Sequence, residues 1–501
     1  MDKSVLNWLQ RTAAQSPDKT AYSDVDSSVK FSDVLKYARS VGTAAAKRNT
    51  AGKPVAVFAG RSCLTPAVFL GVVFGGSCYA PIDGKLPKNR ISRILDNLDP
   101  ALIIADRAYE ESISQLALDC DVLFTEDILD VPADEELLSE IAENANENDP
   151  LYIIFTSGST GNPKGVVTSH HSLMCYIDAY SEVMGIEPDD VLGNQSPLDY
   201  IAAIRDIYLP LYTGCSTVIL PKEYFMEPAR LFDFMTERGV TAVGWSVSAM
   251  TVPASLGAFE HGRPEHLKKI CFSGSVMPNR CLRTWQENMP DAMFVNQYGP
   301  TEATASCTCY RVTEKADDGY VLPIGKAYKN YRVFLLNEDN TATPPGEKGE
   351  ICVSGPILAL GYYNDPERTH KSFVQNPLNK SYNELIYKTG DIGRLRADGN
   401  MEFHGRKDRQ IKHMGHRVEL DEIESACDKI EGVDECCALY DSENERIVLF
   451  HSGAANVRDI ASGLRKDLPG FMVPRKFIYL EALPRLANGK TDMTALKQRM
   501  K

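Results

Sequence analysis

The sequence predicts an α/β protein in which parallel sheets are layered with helices. Apolar runs of four to six residues recur along the first half of the chain, at 54–58, 101–105, 151–156 and 216–220. Gly, Pro and Asp bound these runs, a pattern typical of strands buried on both faces of a parallel sheet. Helix-prone stretches such as 90–98 and 137–147 alternate with them, which favours this architecture. From about Gly349 shorter strands with turn signals predict a β-rich part.

The length of the chain indicates more than one domain. A protein of 501 residues exceeds what one compact core of ordinary size accommodates. The last part of the chain is rich in charged residues and has the size of a minor domain. It begins within the segment 405–410, GRKDRQ. The sequence therefore predicts a large domain at 1–407 and a small domain at 408–501.

Charge and hydropathy argue against several classes of function. The net charge is −14, whereas a general nucleic-acid binder needs a positive surface. No window reaches the roughly 18 consecutive apolar residues that span a membrane, and the N-terminal residues lack the apolar core of a secretion signal. We therefore expect a cytoplasmic protein that binds neither nucleic acid nor membrane. The 13 cysteines lack the paired spacing of a zinc site, so we expect them to be reduced.

A glycine-rich loop follows the apolar run at 151–156. Residues 156–165 read TSGSTGNPKG. The glycines allow backbone N–H groups to approach phosphate oxygens, and Lys164 supplies positive charge. A P-loop requires Gly before its lysine and Ser or Thr after it, but here Pro163 precedes Lys164 and Gly165 follows it. The loop therefore predicts a phosphate site of another kind.

Further motifs occur downstream in a fixed order. They are 296–302 NQYGPTE, 349–350 GE, 387–391 YKTGD, 405–408 GRKD and 488–490 NGK. With the loop, this series resembles the adenylate-forming superfamily of acyl-CoA synthetases, peptide-synthetase adenylation domains and luciferases, over nearly the whole chain. It is most similar to stand-alone amino-acid adenylation enzymes such as the D-alanine–carrier protein ligases. The resemblance implies a large N-terminal domain of parallel sheets layered with helices plus a distorted β-barrel, and a small, mobile α+β C-terminal domain.

The resemblance also implies an ATP-dependent ligase. Such an enzyme joins a carboxylic acid to AMP, releases pyrophosphate and passes the acyl group to a thiol. Because both reactants are anionic, catalysis depends on neutralising and aligning charge. Tyr298 would stack on adenine, and Asp391 would accept hydrogen bonds from the ribose. The residues that would bind the nucleotide are Thr156, Ser157, Gly158, Ser159, Thr160, Gly161, Lys164, Gly274, Ser275, Asn296, Gln297, Tyr298, Gly299, Thr301, Asp391 and Arg406.

Four residues of these motifs would carry the catalysis: Thr156, Lys164, Glu302 and Lys490. Glu302 would bind Mg²⁺, since a hard cation that bridges phosphates prefers carboxylate oxygen. Lys490 would reach the substrate carboxylate and the α-phosphate together. The resemblance further implies that the small domain rotates after adenylation about a hinge at Asp408. Gly415 would then line the tunnel of the phosphopantetheine thiol.

The predicted acid pocket differs at one position from the pockets of the enzymes that the sequence resembles. By the resemblance, its residues are Tyr200, Ile201, Ala202, Arg205, Gly244, Cys271, Ser273, Gln297, Ala305 and Ser306. Ile201 stands where amino-acid adenylation domains carry the Asp that pairs with the α-ammonium, and burying that charge unpaired costs on the order of several kcal/mol. Either Asp199, two residues earlier on an extended segment, shifts into the pocket, or the acid lacks the ammonium. In the second case it is an aryl, hydroxy, keto or fatty acid.

Arg205 follows Ile201 by four residues, so both lie on one face if a helix begins there. The guanidinium of Arg205 has two possible roles. It pairs with a protein carboxylate, or it binds a substrate that carries a second anion or a hydrogen-bond acceptor.

The thiol acceptor and the activity itself have alternatives. The sequence shows no clear basic patch for the 3′-phosphate of coenzyme A, so a separate acyl or peptidyl carrier protein is favoured over CoA as the acceptor. The second alternative is a nucleotide sensor that has lost catalysis. The intact Lys164, Glu302, Asp391 and Lys490 argue against it.

Overall fold

The computed structural model describes residues 2–116, 118–158, 162–442, 444–486 and 491–500. The chain divides into two compact units. The first comprises Met1–Asp83, Leu98–Ile154 and Gly165–Lys407, and the second comprises Gly84–Asn97, Phe155–Lys164 and Asp408–Lys501. The second unit thus includes two short segments from the part of the chain that the sequence assigns to the large domain. The domain bounds 1–407 and 408–501 stay a prediction.

Short strands make up the sheets of both units. They are β1 Thr20–Ser23, β2 Ser28–Lys30, β3 Pro54–Phe58, β4 Cys78–Pro81, β5 Leu102–Ala105, β6 Asp121–Phe124, β7 Pro150–Thr156, β8 Lys164–Ser169, β9 Val191–Asn194, β10 Ser216–Ile219, β11 Ala242–Ser246, β12 Lys269–Ser273, β13 Met293–Tyr298, β14 Thr308–Arg311, β15 Lys326–Ala327, β16 Arg332–Leu336, β17 Lys348–Ser354, β18 Gly361–Tyr362, β19 Phe373–Gln375, β20 Leu385–Leu395, β21 Met401–Arg406, β22 Gln410–His413, β23 His416–Glu419, β24 Val433–Asp441, β25 Arg446–Gly453 and β26 Lys476–Tyr479.

The α-helices lie between these strands along the chain. They are α1 Val5–Gln15, α2 Phe31–Ala46, α3 Thr65–Phe74, α4 Lys88–Leu98, α5 Glu110–Ser114, α6 Thr125–Ile128, α7 Glu135–Asn144, α8 His170–Met184, α9 Ile204–Thr213, α10 Pro228–Glu237, α11 Val247–Ser255, α12 Asn279–Asn288, α13 Pro366–Ser372, α14 Leu420–Cys427, α15 Val457–Asp467 and α16 Met493–Gln498.

Two large sheets dominate the described residues. One has nine strands in the order β15-β14-β13-β12-β11-β9-β10-β1-β2, and the other has seven in the order β18-β8-β7-β4-β3-β5-β6. Their central strands are parallel. Gly244 on β11 lies opposite Cys271 on β12, and Cys271 lies opposite Val295 on β13. This register brings the ends of β11, β12 and β13 to one edge of the nine-stranded sheet.

The apolar runs of the sequence become strands β3, β5, β7 and β10, which are buried along most of their length. The α/β fold class is thereby confirmed. The helix-prone stretches correspond to α4 and α7, but α7 ends at Asn144 rather than at 147. Ala145, directly after α7, has an extended backbone with φ −68° and ψ 140°, which stops the helix.

The β-rich part after Gly349 is an antiparallel sheet of strands β16, β17, β20 and β19, with β21 paired to β20. In the second unit β22 and β23 form a hairpin, and β24, β25 and β26 form a sheet of their own. Met414 and Gly415 join the hairpin strands with positive φ angles of 52° and 81°. Two consecutive positive φ angles are typical of a tight two-residue hairpin turn.

Two expectations about the whole chain can be compared with the structure. All 13 cysteines are free in the structure. Among the described residues, none of the helices combines the length and the apolarity that crossing a bilayer requires.

His170 links the N-terminal helix to the sheet that carries the glycine-rich loop. It opens α8, and its Nδ1 accepts a hydrogen bond from the amide of Val5 at 3.4 Å and lies 3.4 Å from Ser4 Oγ. A ring nitrogen that accepts must be unprotonated. Burial lowers the pKa of His170 from 6.5 to about 4, so the folded chain keeps this ring neutral where an unfolded chain would protonate it.

We predict a pH dependence of stability from His170. Between pH 6.5 and about 4 the unfolded state binds a proton that the folded state does not, so stability falls with falling pH by about 1.4 kcal/mol per unit. His170→Asn should remove this contribution, so the difference in unfolding free energy between wild type and variant should change across that window. Urea unfolding at several pH values measures it, with the exposed His370→Asn as control. A difference that stays constant with pH would contradict the prediction.

Candidate active site

The end of strand β13 shapes one part of the candidate site. Beyond Tyr298 the chain passes through Gly299 and a 3-10 turn at Thr301–Ala303. It then folds back, and the amide of Cys307 donates to the carbonyl of Tyr298 at 2.8 Å. A Cβ atom on Gly299 would lie 2.5 Å from the Cα of Ser306. Glycine is therefore required at this close approach.

Glu302 lies in this turn, and its side chain is fully buried. The hydroxyl of Tyr362 donates to its Oε1 at 2.7 Å. Thr304 and Ala305, just beyond it, have positive φ angles of 43° and 71°, a strain of the kind that collects at functional sites. In the part of the chain that the structure describes, no group of three or more His, Cys, Asp or Glu could hold a metal. A single carboxylate such as that of Glu302 could hold a Mg²⁺ ion only together with other oxygen ligands, such as substrate phosphates.

Residues predicted to bind the nucleotide meet in one hydrogen-bonded group. Asp391 on β20 accepts from the hydroxyl of Tyr298 and from the guanidinium of Arg406. Burial, and then the charge of Asp391, raises the pKa of Tyr298, so its hydroxyl stays protonated and can donate. The neighbouring Asn296 donates from Nδ2 to the carbonyl of Pro323 at 2.7 Å. The structure thus brings the residues predicted to contact adenine and ribose, Tyr298 and Asp391, into direct contact, with Asn296 on the same strand as Tyr298.

The described residues of the glycine-rich loop up to Lys164 belong to the second unit. Thr156 is buried, and its Oγ1 has no hydrogen-bond partner among the described residues. Ser157 Oγ donates to the carbonyl of Arg417 at 2.8 Å, and Lys164 is buried as well. Burial raises the pKa of Glu419, while Arg417 and Lys164 oppose the rise, so cationic side chains concentrate here. A buried hydroxyl and a buried ammonium suit an anionic ligand.

Several predicted residues remain to be placed. Gly158 follows Ser157, and Gly274 and Ser275 are half-buried directly after β12. In the second unit the carboxylate of Asp408 accepts from the amide of Gln410 at 3.2 Å. The residues that lie outside the described part of the chain are Ser159, Thr160, Gly161 and Lys490.

Arg205 lies in the first turn of α9 and is only 1% exposed. Its Nη2 donates to the carbonyl of Gly244 on β11. A Cβ atom at position 244 would lie 2.2 Å from the Nε of Arg205, so the guanidinium occupies the space that a side chain at 244 would need. The guanidinium carbon also lies 5.7 Å from the ring centre of Tyr180, a cation–π arrangement.

The pairing of Arg205 with a protein carboxylate, one of the two interpretations of the sequence, is not seen among the described residues. Its Nε has no hydrogen-bond partner there. The adjacent Asp206 instead accepts from Asn194 Nδ2 at 2.8 Å. Burial raises the pKa of Asp206 to about 6, although the charge of Arg205 opposes this rise. The two charges therefore influence each other, but the described residues show no direct hydrogen bond between Arg205 and Asp206.

Other predicted pocket residues lie close to Arg205. Cys271 lies opposite Gly244 in the parallel register, and Ser306 Oγ donates to Oε1 of Gln297 at 3.3 Å. Cys271, Ser306 and Gln297 are all buried. The half-buried members of the predicted pocket are Tyr200, Ala202, Ser273 and Ala305.

Three tyrosines near Arg205 were missed by sequence reasoning. Tyr176 and Tyr180 lie on α8 with ring centres 5.8 Å apart, and Tyr328 follows β15. Burial raises the pKa of Tyr176, and the charge of Arg205 opposes the rise. The four-residue spacing of Tyr176 and Tyr180 places both on one helix face, and it is a signal that the sequence offered. Tyr328 has no such signal, because its position depends on how distant strands pair.

Ile201 and Asp199 have different surroundings. Ile201 is buried in a 3-10 turn that leads into α9. Burial, and then the nearby charge of Asp83, raise the pKa of Asp199 to about 6, while Arg61 opposes this. The strongest electrostatic neighbours of Asp199 are therefore Asp83 and Arg61.

Comparison with known proteins identifies the family. A family model described as AMP-binding enzyme matches residues 9–363. The chain belongs to the AMP-binding enzyme family. It is therefore an ATP-using, AMP-forming acid–thiol ligase, as the motifs predict.

Relatives of this AMP-binding enzyme include proteins of similar and of greater length. The D-alanine--D-alanyl carrier protein ligase of Bacillus cereus (strain B4264) is 30% identical over 98% of each chain. Surfactin synthase subunit 3 of Bacillus subtilis (strain 168) is 29% identical over 99% of this chain, which spans only 38% of that protein. Among solved structures, the Vibrio cholerae adenylation domain AlmE, in complex with glycyl-adenosine-5′-phosphate, aligns with a TM-score of 0.85. Its 23% identity, over 100% of this chain and 98% of AlmE, shows likeness of fold.

We predict that the hydroxyl of Tyr298 stabilises the fold of this AMP-binding enzyme. Tyr298→Phe removes one of the two side-chain donors that the described residues provide to the buried Asp391. The free energy of unfolding should fall by about 1–3 kcal/mol, because a buried acceptor then loses its partner. Urea unfolding measures the change. Tyr382→Phe, which removes an exposed hydroxyl, should change stability by less than about 0.5 kcal/mol. Equal effects of the two substitutions would contradict the prediction.

Proposed function

We propose that this enzyme activates a carboxylic acid that lacks an α-ammonium group and transfers the acyl group to the phosphopantetheine thiol of a separate carrier protein. The observation that carries the proposal is the buried Ile201 at the position of the ammonium-binding Asp. An ammonium against this side chain would lose its hydration without gaining a counter-charge, at a cost on the order of several kcal/mol. The acids that fit are aryl, hydroxy, keto and fatty acids.

The reaction proceeds in two steps. A carboxylate oxygen of the acid attacks the α-phosphorus of ATP, and pyrophosphate leaves. The thiol then attacks the acyl carbon of the adenylate, and AMP leaves. Tyr298 stacks on adenine and Asp391 binds the ribose, while Lys164 neutralises phosphate charge. Mg²⁺, held by Glu302, would neutralise charge on the phosphates during the first step.

The second unit supplies the remaining roles in this proposal. Lys490 contacts the substrate carboxylate and the α-phosphate during adenylation. Asp408 is the hinge between the large domain at 1–407 and the small domain at 408–501. Gly415 lines the thiol tunnel in the rotated state. The tight turn at Met414 and Gly415 supports this assignment, because it exposes backbone without a bulky side chain at 415.

A carrier protein is favoured over coenzyme A as the thiol acceptor. The Bacillus cereus relative, whose alignment covers 98% of this chain and 98% of its own, is named as a carrier protein ligase. The net charge of −14 also makes a strongly basic surface for the 3′-phosphate of coenzyme A hard to assemble. An acyl-CoA synthetase is the alternative.

A second candidate is a ligase for an amino acid such as D-alanine. The 30% identity to a D-alanine--D-alanyl carrier protein ligase favours it. It requires Asp199 to bind the ammonium. The nearby Arg61 argues against this role, because its positive charge repels an ammonium.

The test is ATP–pyrophosphate exchange with purified protein and a panel of amino, aryl, hydroxy, keto and fatty acids. We predict exchange with at least one acid that lacks an α-ammonium group, and at least about 10-fold lower kcat/KM for its α-amino counterpart, because the unpaired ammonium would be buried. Ile201→Asp should bring the two kcat/KM values closer together, because the new carboxylate supplies a counter-charge for the ammonium. Val276→Asp, at an exposed position, is the control. Exchange with amino acids alone would contradict the proposal.

A further inference from the structure

Buried polar atoms without partners collect around the acid pocket. Among the described residues, no hydrogen-bond partner is found for the Nε of Arg205, the Nε2 of Gln297, or the hydroxyls of Tyr176 and Tyr328. All four side chains are at most 3% exposed. Buried polar groups in folded proteins usually have partners, so a ligand that these four atoms share would satisfy them together.

These side chains form one cluster within the first unit. The charge of Arg205 acts on Tyr176, and the Tyr176 hydroxyl also faces Ser306. Ser306 in turn donates to Gln297. Tyr328 is electrostatically coupled to Tyr176. Tyr176 therefore lies near both Arg205 and Ser306, and through these neighbours the four side chains form one connected group.

The chemistry of the four atoms specifies what they can bind. The Nε of Arg205 and the Nε2 of Gln297 can only donate, and a tyrosine hydroxyl can donate. A group that accepts several hydrogen bonds satisfies them together. Arg205 adds a positive charge, and among the described residues no carboxylate forms a direct ion pair with it, since Asp206 accepts from Asn194. Negative charge on the acceptor is therefore favoured, as in charge-assisted hydrogen bonds.

We propose that the acid carries a second carboxylate, which Arg205 binds with help from Gln297, Tyr176 and Tyr328, and that the substrate is a dicarboxylic acid. The inference rests on the proposed function, and it narrows the class of acid.

The experiment compares matched pairs of acids in ATP–pyrophosphate exchange. Glutaric and terephthalic acid each carry a distal carboxylate, and their monomethyl esters keep the shape but lose the charge. Wild type should use the better dicarboxylic acid with kcat/KM about 10- to 100-fold higher than that of its ester. The difference should lie mainly in KM, because the distal carboxylate is bound equally before and during the reaction.

Two variants test the role of Arg205 itself. Arg205→Met keeps most of the side-chain volume and should reduce the acid-to-ester ratio to about 3 or less, while Arg332→Met, exposed on β16, should leave it unchanged. Gly244→Ala should also reduce the ratio, because the new Cβ displaces the guanidinium. Circular dichroism confirms folding. If both variants fail to fold, the acid-to-ester ratio of kcat/KM for the wild type still tests the inference.

The possible outcomes of these experiments distinguish a failure of this inference from a failure of the proposed function. Exchange with monocarboxylic acids but with neither dicarboxylic acid overturns the inference and leaves the proposed function standing. Equal use of acid and ester by wild type, or an unchanged ratio in folded Arg205→Met, also overturns it and assigns Arg205 a structural role. Exchange with no acid at all overturns both.

Discussion

The hydrogen bond from Arg205 to the carbonyl of Gly244 places a permanent charge inside the large unit, and the chain around it is arranged to hold that charge. Position 244 has no side chain, because the guanidinium passes within 2.2 Å of where a Cβ would lie. The ring of Tyr180 lies against the same guanidinium. Removing a cation from water is expensive unless it is paired or hydrogen-bonded. The carbonyl of Gly244 and the ring of Tyr180 stabilise part of the guanidinium, and in the proposal an anionic group of the substrate pairs with the rest.

The order of strands in the nine-stranded sheet puts this charge beside the nucleotide residues. Gly244, Cys271 and Gln297 come from β11, β12 and β13, which are adjacent and parallel. Parallel α/β sheets bind ligands at the carboxyl ends of their strands. The turn after β13 then carries Glu302, only five residues beyond Gln297. One strand thus contributes to the acid pocket and leads directly to the carboxylate suited to Mg²⁺.

Local patterns account for much of what the sequence predicted. The buried strands were visible as apolar runs, since a strand covered on both faces needs no polar alternation. Motif order pointed to Glu302, Tyr298 and Asp391, and the structure gathers the last two in one hydrogen-bonded group. The end of α7 was placed three residues too late, because no Gly or Pro marks it and backbone geometry alone stops the helix.

The acid pocket was harder to predict because it depends on distant contacts. Whether Arg205 pairs with a carboxylate depends on Gly244 and Asn194, which lie in other elements. Tyr328 reaches the pocket through strand pairing more than a hundred residues from Arg205. Spacing along the chain carries no information about such contacts. The sequence could therefore identify a departure at Ile201 but could not choose among acids.

The central claim is that a buried cation selects an acid with a distal carboxylate. Its most direct test is calorimetric titration of the protein with two stable acyl-sulfamoyl adenosines, one ending in a carboxylate and the other in its methyl ester. Both analogues share the nucleotide and the chain length, so their difference isolates the distal group. The account predicts that the carboxylate binds about 10- to 100-fold more tightly. Equal affinities, or tighter binding of the ester, would contradict it.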